Sequence, residues 1–122
     1  MNEKKSPIVT INCPFLPPSV NACYRSYRGK VCKSKLYREY EQKMKLYLSL
    51  QTFEIMEGDI KLDIDFYKKG NRKYDIDNRL KALFDTLEGT VFLNDNQITE
   101  IHVKKYNNAL YDRTIVKIIN IG

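Results

Sequence analysis

Lys73–Gln97 reads K-Y-D-I-D-N-R-L-K-A-L-F-D-T-L-E-G-T-V-F-L-N-D-N-Q, and its periodicity decides how the chain is built. Leu80, Leu83, Phe84 and Leu87 recur at i, i+3, i+4 and i+7, the spacing of one apolar helix face. Gly89 follows at the position where helices end on a left-handed residue. Ahead of the helix stand Asp75 and Asp77, expected to close an extended run. Two apart in a strand, they would share a face with Cα atoms ~6.6 Å apart. Beyond the helix, Leu93-Asn94-Asp95-Asn96 is a polar turn that brings in a third aspartate. Two roles are open for these residues. Asp75 and Asp77 could converge on one hard divalent cation, which takes a few carboxylate oxygens and several waters. Alternatively, Asp77 caps a helix starting at Asn78, and Asn94–Asn96 is an Asx turn with no chemistry.

Upstream, Ile60–Tyr67 (I-K-L-D-I-D-F-Y) alternates strictly, with Ile60, Leu62, Ile64 and Phe66 on one face and Lys61, Asp63, Asp65 and Tyr67 on the other. It is the clearest strand, and a solvated face accounts for Asp63 and Asp65. The basic turn Lys68–Lys73 leads from it to Asp75. Downstream, Ile98–Tyr106 reads as a strand, Asn107-Asn108 as a turn and Asp112–Ile121 as a last strand. Before all of these, Ile8–Phe15 reads as a first strand closed by Pro14, followed by a stiff connection through Pro17 and Pro18. Gly29 marks a turn or short hairpin, with an extra strand near Val31. Ser34 is placed to cap a helix running to Ser49, with a stripe of Leu36, Tyr40, Met44 and Tyr47 or Leu48. The order β-α-β-α-β-β defines an α+β fold, a two-layer domain in which two helices cover a small mixed sheet of about four strands.

Composition narrows the function. The 122 residues suit one domain spanning 1–122, and no apolar run approaches the ~18 residues of a membrane span. The first residues, Met-Asn-Glu-Lys-Lys-Ser, lack the apolar core of a signal peptide, so a cytoplasmic protein with no membrane partner is expected. Cys13, Cys23 and Cys32 show no paired spacing, and His102 is the single histidine, which argues against zinc sites and Ser-His or Cys-His nucleophiles. A net charge of +6 calls for an anionic partner. The charge is densest in Tyr24–Lys45, where Arg25, Arg28, Lys30, Lys33, Lys35 and Arg38 alternate with Tyr24, Tyr27, Tyr37 and Tyr40. Such a block can hold phosphates by charge and bases by stacking.

Three motifs in order resemble the RusA family of Holliday-junction resolvases. They are Pro17-Pro18-Ser19-x-Asn21 with Tyr24-Arg25 and Arg28-Gly29; Asp75-x-Asp77-Asn78-x-x-Lys81-x-x-x-Asp85-x-Leu87; and Leu93-x-Asp95-x-Gln97-Ile98 followed by Glu100. The resemblance covers nearly the whole chain. It implies a homodimeric, Mg²⁺-dependent endodeoxyribonuclease, with Mn²⁺ as an expected substitute and no small-molecule cofactor. Such an enzyme nicks opposed strands of a branched, four-way DNA junction in recombination and repair. Carried across, Asp75, Asp77 and Asp95 are the metal-binding and catalytic carboxylates and Lys81 is an essential basic residue. From their charge, Arg25, Arg28, Lys30, Lys33 and Lys73 are expected to hold DNA. Relatives commonly carry an acidic residue where Asn94 stands. The competing functions are a non-catalytic basic nucleic-acid-binding module, or a metal-dependent nuclease for other branched DNA or RNA.

Overall fold

The computed structural model describes residues 8–122. Among them, β1 (Ile8–Cys13), β4 (Ile60–Lys69), β5 (Ile98–Ala109) and β6 (Arg113–Asn120) form a mixed sheet in the order β1-β6-β4-β5. The two remaining strands, β2 (Tyr24–Tyr27) and β3 (Lys30–Lys33), pair only with each other. Helices α1 (Lys35–Ser49) and α2 (Asp77–Leu87) complete the α+β fold that the periodicities predict, including the strand at Val31. β4 and β5 are parallel, so the chain must cross back between them, and α2 is that crossover. This topology places the two ends of Lys73–Gln97 at opposite ends of the sheet.

Alternation explains β4. Ile60, Leu62, Ile64 and Phe66 are each at most 1 % exposed and join Tyr37, Tyr40, Met44 and Leu48 of α1 and Leu83 and Leu87 of α2 in one core. Truncating a side chain as large and enclosed as Phe66 costs ~3–5 kcal/mol. On the open face, Asp63 pairs in register with His102 and Lys117, and Asp65 with Lys104, so mixed charges offset the two carboxylates there. Ser34 caps α1 by accepting from the Tyr37 N–H at 3.1 Å. The β2-β3 hairpin turns on Arg28 (φ 51) and Gly29 (φ 76), the double left-handed conformation of a two-residue hairpin loop. No helix among the described residues is long and apolar enough to cross a membrane.

Four expectations are corrected. β4 ends at Lys69 and residues 70–76 are irregular, so Asp75 and Asp77 do not share a strand face. Asn107-Asn108 is no turn: β5 runs to Ala109 through a bulge, with Asn108 at φ 59 donating its N–H to the Gly70 carbonyl at 2.7 Å. The buried stripe of α1 is Tyr37, Tyr40, Met44 and Leu48, leaving Leu36 53 % exposed. Asp77 does not cap α2. Ile76 holds that position in helical geometry, and no side chain caps the helix.

Candidate active site

At the N-terminal end of α2, Asp75 and Asp77 are exposed, and Lys81 stands one turn after Asp77 on the same face. Asn78 orients Asp75 by donating from Nδ2 to Oδ2 at 3.4 Å. Asp77, in the first helical turn, lies where the free N–H groups favour negative charge. The irregular segment that carries Asp75 is pinned from two sides. The Lys105 ammonium on β5 donates to the Tyr74 carbonyl at 2.8 Å and lies 5.1 Å from the centre of the Tyr74 ring. The Arg79 guanidinium lies 4.9 Å from that ring and donates to the Pro17 carbonyl at 2.7 Å. The buried Pro17-Pro18 element therefore braces α2, while Ser19 accepts from the Asn21 N–H to close a short 3-10 turn. That motif is architectural.

Lys81 is held in turn. Its ammonium lies 3.5 Å from the Asp85 carboxylate, and Asp85 accepts from the Tyr37 hydroxyl at 3.1 Å. Burial first, and then the bond to Asp85, push the Tyr37 phenol well above its usual range, so it stays protonated and donates. Burial, followed by the charges of Asp85 and Glu41, likewise raises the neighbouring Cys23 thiol against the opposing pull of Lys81. Cys23 is thus no thiolate nucleophile. The ion pair to Asp85 steadies the Lys81 ammonium yet leaves the side chain 59 % exposed, open to an approaching anion.

Asp95 belongs to the other end. Its N–H donates to the Glu88 carboxylate at 2.8 Å, and Glu88 is the C-cap of α2. Gln97 latches this corner with four bonds: Oε1 accepts from the Leu93 and Asn94 N–H groups, and Nε2 donates to the Met56 and Gly58 carbonyls. Asn94 accepts from the Asn96 N–H at 2.9 Å. An amide therefore fills the capping role at Asn94. The 11 residues of α2 separate Asp77 from this corner by roughly 16 Å at 1.5 Å per residue. Along β5, the seven steps from Ile98 to Lys105 amount to about 23 Å. Two oxygens on one Mg²⁺ stand no more than ~4 Å apart. Accordingly, no three His, Cys, Asp or Glu side chains among the described residues are placed to hold one cation. The structure brings together Asp75, Asp77 and Lys81, and keeps Asp95 apart.

The expected DNA contacts also divide. Arg25, Arg28 and Lys30 lie on the exposed hairpin and Lys73 on the exposed segment before Asp75, none in an ion pair among the described residues. Lys33 instead bonds Glu41 at 3.0 Å, which raises its pKa. Residues that spacing left unmarked are Lys105 and Arg79, whose backbone partners lie 31 and 62 residues away along the chain; Gln97 stood in a motif, but its bonds to Met56 and Gly58 were not legible there. A concavity of about 890 Å³ along α1 takes in Asp85 but neither Asp75 nor Asp77. It is not the site.

Two exposed carboxylates beside a tethered lysine, with a basic hairpin on the same molecule, suit a phosphodiester hydrolase acting on nucleic acid. Comparison with known proteins names the group. The sequence model of the family described as Endodeoxyribonuclease RusA matches residues 14–119. The chain is also 34 % identical over 103 residues, 83 % of its own length and 82 % of the relative's, to a crossover junction endodeoxyribonuclease RusA of Aquifex aeolicus. The chain belongs to the RusA endodeoxyribonuclease family.

Proposed function

We propose that the protein is a cytoplasmic, homodimeric, Mg²⁺-dependent resolvase that cuts four-way DNA junctions by paired nicks during recombination and repair. The observation that carries this reading is the grouping of Asp75, Asp77 and Lys81 at one exposed helix end in a chain of this family. The donor set suits the cation: Mg²⁺ is characteristically held by one or two carboxylates, with waters and substrate phosphate completing its shell. Bound there by Asp75 and Asp77, it would supply an activated water and charge screening at the phosphate. The protein's own groups do the rest. Asn78 orients Asp75, Lys81 offers positive charge to the phosphoryl oxygens, and Asp85, fixed by Tyr37, limits where Lys81 can reach.

The separation along α2 gives the dimer a chemical reason. If Asp95 contributes to hydrolysis, it must do so at the site of a second chain, with the corner of one protomer set against the Asp75–Asp77 end of its partner. An isologous pair would then hold two composite sites related by a two-fold axis, matching a junction that is cut twice. The test is nicking of a synthetic four-way junction in Mg²⁺, beside linear duplex, other branched DNA and RNA, with chelator controls. Cleavage of the junction above all others, abolished by chelation, is expected. Binding with no cleavage in any divalent cation would leave a non-catalytic module, and preferential cutting of RNA or flaps would replace the junction as substrate.

A further inference from the structure

Among the described residues, the β2-β3 hairpin is the element exposed along its whole length, and its ten residues, Tyr24–Lys33, contain four cations and no acid. Alternation assigns its faces. Tyr24 and Lys33 turn inward onto Tyr37, with ring centres 5.7 Å apart for the tyrosines and the Lys33 ammonium 5.4 Å from the Tyr37 ring. The hairpin is therefore rooted on the residue that also holds Asp85 and, through it, Lys81. Arg25, Tyr27, Lys30 and Cys32 share the opposite face. Between the hairpin and the start of α1 lies a groove of about 470 Å³, walled by Arg25, Tyr27, Cys32, Lys33, Lys35 and Arg38, without a carboxylate. Lys33 and Lys35 have partners in Glu41 and Glu39, whereas Arg25 and Arg38 have none among the described residues. The Tyr27 ring is part of a residue 64 % exposed, with the Arg28 guanidinium 5.3 Å from its centre.

A solvated tyrosine gains nothing from the core, and a groove of cations repels a basic surface. Both fit a polyanion carrying flat aromatic groups. In a duplex the base faces are already stacked, so only an unpaired nucleotide offers a face to Tyr27. We propose that this groove binds single-stranded DNA, with Arg25, Lys35 and Arg38 on the phosphates and one base stacked on Tyr27. Resting on the resolvase reading above, it captures the strand freed at the branch point and leads it past Lys81.

The probe is a short fluorescent oligothymidylate, titrated with the full-length protein without divalent cation, beside a linear duplex and a parallel junction-cleavage assay. Tyr27→Ala should weaken oligothymidylate binding roughly tenfold or more, while Tyr27→Phe keeps it, because the stack needs only the ring. Duplex affinity should change far less. Joint Lys35→Gln and Arg38→Gln substitution should flatten the log–log salt dependence by about 0.7 for each phosphate left without its cation. Melting curves matching the parent confirm that these exposed changes leave the fold intact. Failure of the parent to bind the oligothymidylate, or unchanged affinity in Tyr27→Ala, overturns the groove even if junctions are cut. A Tyr27-dependent affinity in a protein that leaves junctions intact upholds the groove and overturns the resolvase reading.

Discussion

The two ends of α2 are built on different principles. The N-terminal end, with Asp75 and Asp77, is exposed, lacks a capping side chain and is tied down mainly through its neighbours Tyr74, Asn78 and Arg79. The C-terminal corner, with Asp95, is cross-linked by Gln97, Asn94 and Glu88 through a net of backbone bonds. Exposed carboxylates with so few protein partners are poor architecture and good ligands. The bonded corner is good architecture: its Glu88 carboxylate is taken up by the Asp95 N–H, which leaves the Asp95 carboxylate for other work. Among the described residues of one chain, the length of α2 keeps the two ends too far apart to share one cation.

That contrast makes the substitutions unequal. Asp77→Asn should lower junction nicking by orders of magnitude. Stability should fall by only about 0.3–1 kcal/mol, the interaction of one exposed charge with a helix terminus. Removing a negative charge beside the phosphate should leave junction binding as tight as before, or tighter. Parallel cleavage, binding and denaturant-unfolding measurements separate the three effects. Nearly full activity would return Asp77 to a structural role.

Gln97→Ala should do the reverse. Four bonds of ~1 kcal/mol each disappear, with some relaxation, so unfolding should cost about 2–4 kcal/mol less. Its cleavage should fall in step with its folded fraction and with displacement of Asp95. Lys105→Met tests the pin on the first end. It keeps the stem and removes the ammonium that holds the Tyr74 carbonyl, so stability should change little. Misplacing a reacting group by about 1 Å costs up to about 100-fold, so cleavage at saturating junction should drop roughly ten- to a hundredfold with affinity nearly unchanged. A weakened affinity with an unchanged rate would make Lys105 a DNA contact.

The smallest effect is on pH. Burial raises Cys13 from 9.0 to about 11, and burial also raises Tyr37 and Tyr40. Each group is harder to ionise folded than unfolded. Stability from these groups is complete below their unfolded values and is lost as the pH climbs towards the folded ones. Thermal unfolding should therefore be flat from pH 7 to 9 and fall beyond, through 11. Alkaline stability that holds to pH 11 would mean the core admits these anions.

Local pattern carried much of this structure. Strict alternation located β4, Ser34 and Gly89 bounded the helices, and Arg28-Gly29 marked the hairpin, because each depends on neighbouring residues alone. Tyr37 displaced Leu36 from the core stripe for a reason no window contains, a hydroxyl partner at Asp85, 48 residues on. The Asn107-Asn108 pair has turn composition, yet Gly70 across the sheet gives Asn108 a bulge partner. The motifs singled out three aspartates and a lysine, but a string of residue letters hides direction. Only the parallel pairing of β4 with β5 reveals that Asp95 lies at the far end of the helix from Asp75.

The composite site is tested most directly by mixing two inactive proteins. Asp77→Asn and Asp95→Asn chains, carrying different tags, are exchanged or co-expressed and the heterodimer is isolated. If Asp95 serves the partner's Asp75–Asp77 end, one site of the heterodimer collects both substitutions and the other is intact, so nicking of a labelled junction in Mg²⁺ returns, one strand at a time. If each chain supplies its own three aspartates, both sites remain damaged, and the heterodimer will be as inactive as either parent.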